Sequence, residues 1–306
     1  MHAMLPNMLL AMLVPIIWGS TYVITTEWLP EGAPLWSAVF RALPAGLLLL
    51  VFCRRFPQGQ WWWRALVLGT LNIGAFFYLL FLAAYSMPGG IAALLISSQP
   101  LWVLLFGASL LRQAFTAQHI LACVVGALGV AGLVIQSDAS LNAVGVSASI
   151  LGAICMALGV VLAKQWGKPE GVSLLDVTGW QLTVGGIVLM PLAMWSEPFP
   201  QSMTMENYVG LGFLCLVGAL MTYIIWFRCI QRLPAFLVSI ITLLSPLSAT
   251  VLGYLVLDEQ LNIEQGIGAA LIISAMFMAQ RAGKSAENTS TPSPQPARRS
   301  FSNERI

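Results

Sequence analysis

The sequence predicts an all-α integral membrane protein with ten transmembrane helices arranged as two inverted five-helix repeats. Three observations predict this fold: an excess of apolar residues, a regular succession of long apolar segments, and basic residues confined to alternate connections. Hydrophobic residues make up 58% of the chain and charged residues only 8%, against roughly 25% in an ordinary soluble domain. A soluble protein could not hide that much apolar surface from water, so the bilayer is expected to be the solvent for most of the chain.

Ten apolar segments are each close to the ~20 residues that a helix needs to cross the hydrocarbon core. We interpret the first as a retained span rather than a signal peptide, because no Lys or Arg precedes it and no small-residue cleavage site follows it. Residues 285–306 are rich in Ser, Pro, Asn and Arg and are predicted to form a disordered cytoplasmic tail. The predicted spans are residues 5–25, 35–53, 65–85, 90–111, 118–136, 144–164, 175–195, 207–228, 234–256 and 263–280.

Basic residues give an independent test of this span map. If the amino terminus is cytoplasmic, the segments after spans two, four, six, eight and ten are cytoplasmic, and these segments or their helix borders hold 13 of the 14 basic residues. The opposite connections hold acidic residues only, so both termini are predicted to be cytoplasmic. The 13 are Arg54, Arg55, Arg64, Arg112, Lys164, Lys168, Arg228, Arg232, Arg281, Lys284, Arg298, Arg299 and Arg305. The acidic residues of these opposite connections are Glu27, Glu31, Asp138, Glu197, Glu206, Asp258 and Glu259.

Residues 1–136 and 144–280 are predicted to be two copies of one five-helix unit. The aligned positions are Gly19, Arg41 and Gly46 with Gly159, Gln181 and Gly186, and the pair Pro88 and Pro100 with Pro234 and Pro246. Because five is odd, the second copy must enter the membrane from the opposite side, and equivalent connections should exchange charge. The connection between spans two and three is basic, whereas its counterpart holds Glu197 and Glu206. Inverted repeats of this kind place a binding site at their interface near the midplane.

Short motifs lie in or beside the apolar segments of both halves. They are Trp18-Gly19-Ser20-Thr21, Arg41 with Ala45-Gly46, Pro88-Gly89, Pro100, Ser245-Pro246, Gly253 and Asp258-Glu259. In these motifs the chain resembles the drug/metabolite transporter superfamily, specifically its ten-span EamA-type exporters. The stretches Met87–Trp102 and Pro234–Leu261 are similar to the pigment-exporter branch of that family.

The resemblance covers about residues 5–280 and makes each five-helix unit one EamA-like repeat. It implies a ten-helix basket in the inner membrane, with a central cavity lined by spans one, three, four, six, eight and nine and with spans five and ten outside. It also implies that amino acids and related small metabolites are moved outward. One departure is that small multidrug relatives carry a glutamate in their first span, whereas no Asp or Glu lies mid-span here.

Arg41 is the one clear charge inside a predicted span. It lies about six residues from the outer edge, ~9 Å at 1.5 Å per residue. A charge at this depth costs several kcal/mol unless it faces protein or water. Two interpretations stay open: an anchor for an anionic substrate group or a gate partner, and a side chain that extends outward to Glu31 or to lipid headgroups.

Other candidate lining residues are polar or aromatic side chains within spans. In spans four and nine they surround Pro100 and Pro246, where interrupted helices leave backbone groups that must border a cavity. Small polar residues also hold helices together, and Trp near span ends forms interfacial belts, so packing is the alternative role. The substrate-binding candidates are Trp18, Thr21, Arg41, Asn72, Ser98, Gln99, Trp102, Thr222, Trp226, Thr242 and Ser245.

The sequence has no metal-ligand spacing, no Ser/His/Asp set and no nucleotide-binding loop, so neither enzymatic activity nor any cofactor or metal is expected. The predicted function is export of small metabolites, either amino acids or amphipathic aromatic compounds, without a buried carboxylate relay. Broad toxic-compound efflux or uptake is the alternative within transport, and a membrane-embedded enzyme is a weaker one. The expected partners are a small-molecule substrate and the lipid bilayer, and a homodimer is left open. The net charge of +2 is too small to indicate nucleic acid.

Overall fold

The computed structural model describes residues 4–87, 89–113, 115–134, 142–256 and 263–290, and in these ranges all regular secondary structure is helical. Nine of the described helices are long and apolar enough to cross a membrane, and a tenth has a shorter apolar part, Ala117–Gly132. The predicted all-α, ten-helix membrane fold is therefore confirmed. Several interpreted residues lie outside the described ranges; they are Pro88, Asp138, Asp258, Glu259 and 291–306.

The helices are named α1 to α10 in chain order. The last helix continues past the predicted end of its span. Residues 285–290, which were predicted to begin a disordered tail, are therefore helical. The first proline after this helix is Pro292. The bounds are α1 Met4–Trp28, α2 Pro34–Cys53, α3 Trp61–Ser86, α4 Gly89–Ile96 with Gln99–Leu110, α5 Ala117–Val134, α6 Ala143–Trp166, α7 Leu174–Ser196, α8 Met205–Arg232, α9 Ala235–Ile241 with Leu244–Val256, and α10 Ile263–Ser290.

Three connections meet on one face of the helix layer, which we call the basic face: α2–α3, α6–α7 and α8–α9. The indole of Trp180, early in α7, donates to the carbonyl of Arg55 at 2.7 Å. The Lys164 ammonium near the end of α6 donates to the carbonyls of Gln231 and Leu233, each at 3.0 Å. Connections that follow even-numbered helices are thus held together at one face, as the charge pattern predicts.

The opposite face, which we call the acidic face, gathers the α1–α2 and α7–α8 connections and the end of α3. The Asn207 side chain at the start of α8 donates to the carbonyl of Trp28 at 3.1 Å. The Tyr85 hydroxyl near the end of α3 donates to the carbonyl of Pro30 at 2.8 Å. The described connections named here therefore alternate between the two faces, which is the arrangement that two inverted five-helix repeats require.

Two pairs of helix irregularities recur at equivalent places in the repeats. Helices α3 and α8 each contain a π-helical turn, at Thr70–Ala75 and Leu216–Met221. Helices α4 and α9 are each broken for two residues, at Ser97–Ser98 and Thr242–Leu243. The breaks lie just before Pro100 and Pro246, because each proline lacks the N–H that would continue the hydrogen-bond ladder. The prolines predicted the breaks, whereas no residue pattern predicted the π turns.

Helices α2 and α7 pack along each other where the repeats meet. A Cβ at Gly46 of α2 would lie 2.3 Å from the backbone nitrogen of Thr183, and one at Gly186 of α7 would lie 2.6 Å from the Cβ of Leu43. Each glycine lets the facing helix approach to backbone contact. The two glycines occupy aligned positions of the repeats, so the contact is close to two-fold symmetric.

Glu197, directly after α7, caps the first turn of α2 across this interface. The N–H of Leu35 donates to its two carboxylate oxygens at 2.9 and 3.0 Å, and the N–H of Trp36 donates to one of them at 3.2 Å. Burial raises the pKa of the Glu197 carboxyl, and these two hydrogen bonds oppose the rise. The cap is supplied by the other repeat, so it ties α2 to α7 at the acidic face.

Glu197→Ala is expected to lower the stability of the detergent-solubilised protein by about 1 kcal/mol, because two helix N–H groups lose their acceptor. Glu197→Gln keeps an acceptor oxygen and should retain most of that stability. The measurement is thermal unfolding of the purified protein, with Glu27→Ala as the control because Glu27 is an exposed acid on the same face. Equal unfolding temperatures for the two alanine variants would contradict the capping role.

Candidate functional site

A cleft lies between the two repeats. Its described lining residues come from α1, α2, α3, α4, α6 and α9, and none of them comes from α5, α8 or α10. The resemblance implied that α5 and α10 lie outside the cavity, and the lining agrees with this. The resemblance also implied that α8 contributes to the cavity, but no residue of α8 is in this lining. The residues are Trp18, Thr21, Tyr22, Arg41, Phe76, Leu80, Ala93, Ile96, Ser97, Gln99, Met156, Thr242, Ser245 and Pro246.

The cleft extends from the middle of the helix layer toward the acidic face. Its residues on α1, α3 and α4 lie in the halves of these helices nearest that face. At its inner end the two helix breaks meet, where the Thr242 hydroxyl lies 3.3 Å from Oε1 of Gln99. The Gln99 side chain is only 3% exposed, and its Nε2 has no partner among the described residues. A buried amide with one free end is suited to hydrogen bonding a bound molecule.

Arg41 points into the protein interior and lines the cleft. Its side chain is 2% exposed; Nη2 donates to the carbonyl of Gly218 at 2.9 Å, and Nη1 donates to the Thr21 hydroxyl at 3.3 Å. The guanidinium carbon lies 4.5 Å from the ring centroid of Phe77, within the range of a cation–π interaction. The interpretation in which Arg41 extends outward to Glu31 or to lipid headgroups is therefore wrong.

The carbonyl of Gly218 accepts hydrogen bonds from three side chains at this side of the cleft. Besides Arg41, it accepts the indole N–H of Trp18 at 3.1 Å and the hydroxyl of Thr222 at 2.8 Å. Gly218 belongs to the π turn of α8, where the widened ring of backbone hydrogen bonds leaves this oxygen open to side chains of α1 and α2. The π turn of the second repeat thus positions two cleft residues of the first.

The π turn of α3 makes a similar contact in the opposite direction. The carbonyl of Asn72, which like Gly218 is the third residue of its π turn, accepts the Tyr223 hydroxyl of α8 at 3.4 Å. The Asn72 side chain donates to Oε1 of Gln181 at 2.9 Å, and Gln181 aligns with Arg41. Each repeat therefore sends a polar side chain from its second helix to the π turn of the other repeat. In one case that side chain is charged and lines the cleft; in the other it is a neutral amide paired with another amide.

The structure brings six of the eleven predicted site residues together in the cleft lining, and the other five are not part of that lining. The six are Trp18, Thr21, Arg41, Gln99, Thr242 and Ser245, and the five are Asn72, Ser98, Trp102, Thr222 and Trp226.

The five residues outside the lining are accounted for in three ways. Asn72 precedes Phe76 by four positions, but the intervening π turn rotates the helix, so Phe76 lines the cleft while Asn72 faces α7. Thr222 and Trp226 are fully buried behind Trp18, whose ring centroid lies 5.0 Å from that of Trp226.

Ser98 and Trp102 are four residues apart on α4 and share a face that is not part of the cleft wall. Other lining residues were absent from the predicted set. Ala93, Ile96 and Ser97 follow the three- and four-residue spacing of one helix face, and Leu80 lies four residues after Phe76. That spacing could have identified them once one residue of each face was known. Nothing in the sequence distinguishes Met156 from the other apolar residues of α6.

In the part of the chain that the structure describes, no group of three or more His, Cys, Asp or Glu side chains could hold a metal ion. The described cleft lining contains one charged residue, Arg41, and no acidic one. Its chemistry is that of a binding site with aromatic walls and hydrogen-bond donors.

The chain matches a protein-family model described as the EamA-like transporter family, over residues 5–135 and 143–280. Protein PecM of Dickeya dadantii (strain 3937) is 42% identical over 270 residues, which cover 88% of this chain and 91% of that protein. An uncharacterized inner membrane transporter of Escherichia coli (strain K12), YedA, is 25% identical over 272 residues, covering 86% and 87%. A solved crystal structure matches with a TM-score of 0.74 at 15% identity, covering 91% of this chain and 99% of that one. This last likeness shows the fold alone.

Proposed function

The chain belongs to the EamA-like transporter family, and on that premise we propose that it is a secondary transporter that exports small metabolites across the inner membrane by alternating access. The proposed cargo is an amino acid or an amphipathic, aromatic compound. The observation that carries the proposal is the cleft between the inverted repeats, which ends near the middle of the helix layer. A half-open cleft at a repeat interface is the site that an alternating-access carrier presents to one side of the membrane at a time.

The chemistry of the cleft supports the proposed cargo. Trp18, Tyr22 and Phe76 supply aromatic surface for an apolar body, while Arg41 and Gln99 supply hydrogen-bond donors for its polar group. A site with a few polar groups on an apolar wall is typical for small molecules.

Orientation is part of the proposal. The basic face carries the Lys and Arg residues of the even-numbered connections, so the positive-inside rule favours the cytoplasm for this face and for both termini. The cleft, which extends toward the acidic face, would then be open to the outside in this conformation. A carrier caught in this conformation would be ready to release exported cargo.

The test is flux through the purified protein in proteoliposomes, with radiolabelled L-phenylalanine and N-acetyl-L-phenylalanine as probes. We expect saturable flux that exceeds the leak through protein-free vesicles and that excess unlabelled probe suppresses. Flux equal to the leak for both probes would contradict the proposed function.

Gln99→Leu is expected to reduce saturable flux about tenfold, because a hydrogen bond to a bound molecule is worth roughly 1.4 kcal/mol. Leucine has a similar size, so the helix break should persist. Gln113→Leu is the matched control, since Gln113 is an exposed residue just beyond the same helix. Equal flux in the two variants would remove Gln99 from the site.

A further inference from the structure

Arg41 is a buried cation without a carboxylate partner among the described residues. Its polar contacts there are the carbonyl of Gly218 and the hydroxyl of Thr21, both of which are neutral. The carboxylate of Glu197, at the acidic face, is engaged with the backbone N–H groups of Leu35 and Trp36. A buried charge that lacks a counter-charge is costly, and such residues in membrane helices commonly mark substrate pathways.

The guanidinium of Arg41, which lines the cleft, keeps unused hydrogen-bonding capacity. A guanidinium has five N–H groups in a planar fork that fits a carboxylate. The described contacts use one N–H of Nη1 and one of Nη2, and Nε has no partner. Its ring contacts with Phe77 and Phe81, at 4.5 and 6.0 Å, hold the charged plane without satisfying these donors. The free N–H groups and the positive charge both require an acceptor.

The rest of the described cleft lining offers a cation no carboxylate. Its other polar groups are the indole N–H of Trp18, the amide of Gln99 and the hydroxyls of Thr21, Tyr22, Ser97, Thr242 and Ser245. The aromatic rings could contact a cationic group, but the fixed positive charge of Arg41 would repel it at close range. The electrostatics of the site therefore favour one net negative charge on the ligand.

We propose that the transported substrate is an organic anion, with a carboxylate or equivalent group that Arg41 binds and an aromatic or apolar body that Trp18, Tyr22 and Phe76 contact. This inference rests on the proposed transport function and specifies its substrate class. It also excludes cationic compounds, the class that a broad toxic-compound exporter would handle.

An anionic substrate also explains how export proceeds without an acidic relay in the cleft. A cell membrane is negative inside, so the potential itself drives an anion outward. A potential of 100 mV corresponds to about a 50-fold concentration ratio for one elementary charge. Transport then requires no coupled proton and no buried carboxylate to carry it.

The test compares three probes that share one aromatic body: N-acetyl-L-phenylalanine, which is anionic; N-acetyl-L-phenylalaninamide, which is neutral; and L-phenylalaninamide, which is cationic. Flux of each labelled probe is measured in proteoliposomes, and for the anion the other two also serve as unlabelled competitors. We expect the neutral amide to compete about 10- to 100-fold more weakly than the unlabelled anion, because its carbonyl can accept from Arg41 but cannot form an ion pair with it. A valinomycin-imposed potassium potential should drive the anion toward the positive side.

Arg41→Gln is expected to remove the preference for the anion and leave anion and amide competing equally, whereas Arg41→Lys should keep part of the preference. Arg228→Gln is the control, because Arg228 is an exposed cation on α8. Saturable transport with no preference for the anion in the wild type would overturn this inference and leave the transport function standing. The absence of saturable flux for all three probes would instead overturn the transport function. The comparison of probes in the wild type decides the question even if Arg41→Gln fails to fold.

Discussion

Gly46→Ala is expected to abolish the accumulation of folded protein in the membrane. The added Cβ would lie 2.3 Å from the Thr183 backbone nitrogen and 2.5 Å from its hydroxyl oxygen, distances at which atoms cannot coexist. The nearest atom belongs to the backbone of α7, so no side-chain rotation relieves the contact and the two helices must move apart. Overpacking costs about 1–3 kcal/mol when side chains can adjust, and this site should reach the upper end or exceed it.

The readout is the amount of monodisperse protein recovered after detergent extraction, measured by size-exclusion chromatography of a fluorescent fusion. Gly212→Ala is the control: it makes the same change in a membrane helix, but a Cβ there meets no atom within 4 Å. Gly186→Ala, at the aligned position of α7, should behave like Gly46→Ala because its Cβ would lie 2.8 Å from the Leu43 nitrogen. Normal recovery of both interface variants would show that α2 and α7 do not pack in backbone contact.

Features set by composition and by proline could be predicted from the sequence. The ten spans follow from runs of apolar residues, and the alternation of faces follows from the Lys and Arg positions. The interrupted helices follow from Pro100 and Pro246, because the missing N–H acts locally wherever the proline stands. Gln99 and Thr242 could be predicted as site residues because they lie close to these two prolines. Each of these features depends on the type of a residue and its near neighbours in the sequence, so no tertiary contact had to be known.

The orientation of side chains could not be predicted where it depends on tertiary contacts. The π turns at Thr70–Ala75 and Leu216–Met221 contain no residue type that requires them. The first affects which side chains of α3 face the cleft, and the second contains the Gly218 carbonyl that accepts from Arg41. Arg41 had two open interpretations because its sequence depth permits both. The side chain points inward because it donates to the carbonyl of Gly218, which lies in a π turn 177 positions away in the sequence.

Chemical modification at Ser97 is expected to stop transport when the reagent is applied from outside the cell. Ser97 lines the cleft, and its hydroxyl donates only to the Ala93 carbonyl of its own helix, so Ser97→Cys should be well tolerated. The variant is made in a background in which the five native cysteines are replaced by alanine. A small anionic, membrane-impermeant methanethiosulfonate is then added to whole cells and to inverted membrane vesicles. The cleft extends toward the acidic face, so the thiol should react in whole cells, and the attached group should fill the space that the substrate needs.

Ser109→Cys is the matched control because Ser109 lies on the same helix near the basic face, where its hydroxyl also donates to its own backbone. It should resist the external reagent and leave transport unchanged. Reaction of Ser97→Cys only in inverted vesicles would place the cleft on the cytoplasmic side and reverse the proposed orientation. Reaction from both sides, with protection from each side by excess N-acetyl-L-phenylalanine, would be the direct signature of alternating access. A carrier that exchanges between two conformations must expose the same residue to each side in turn.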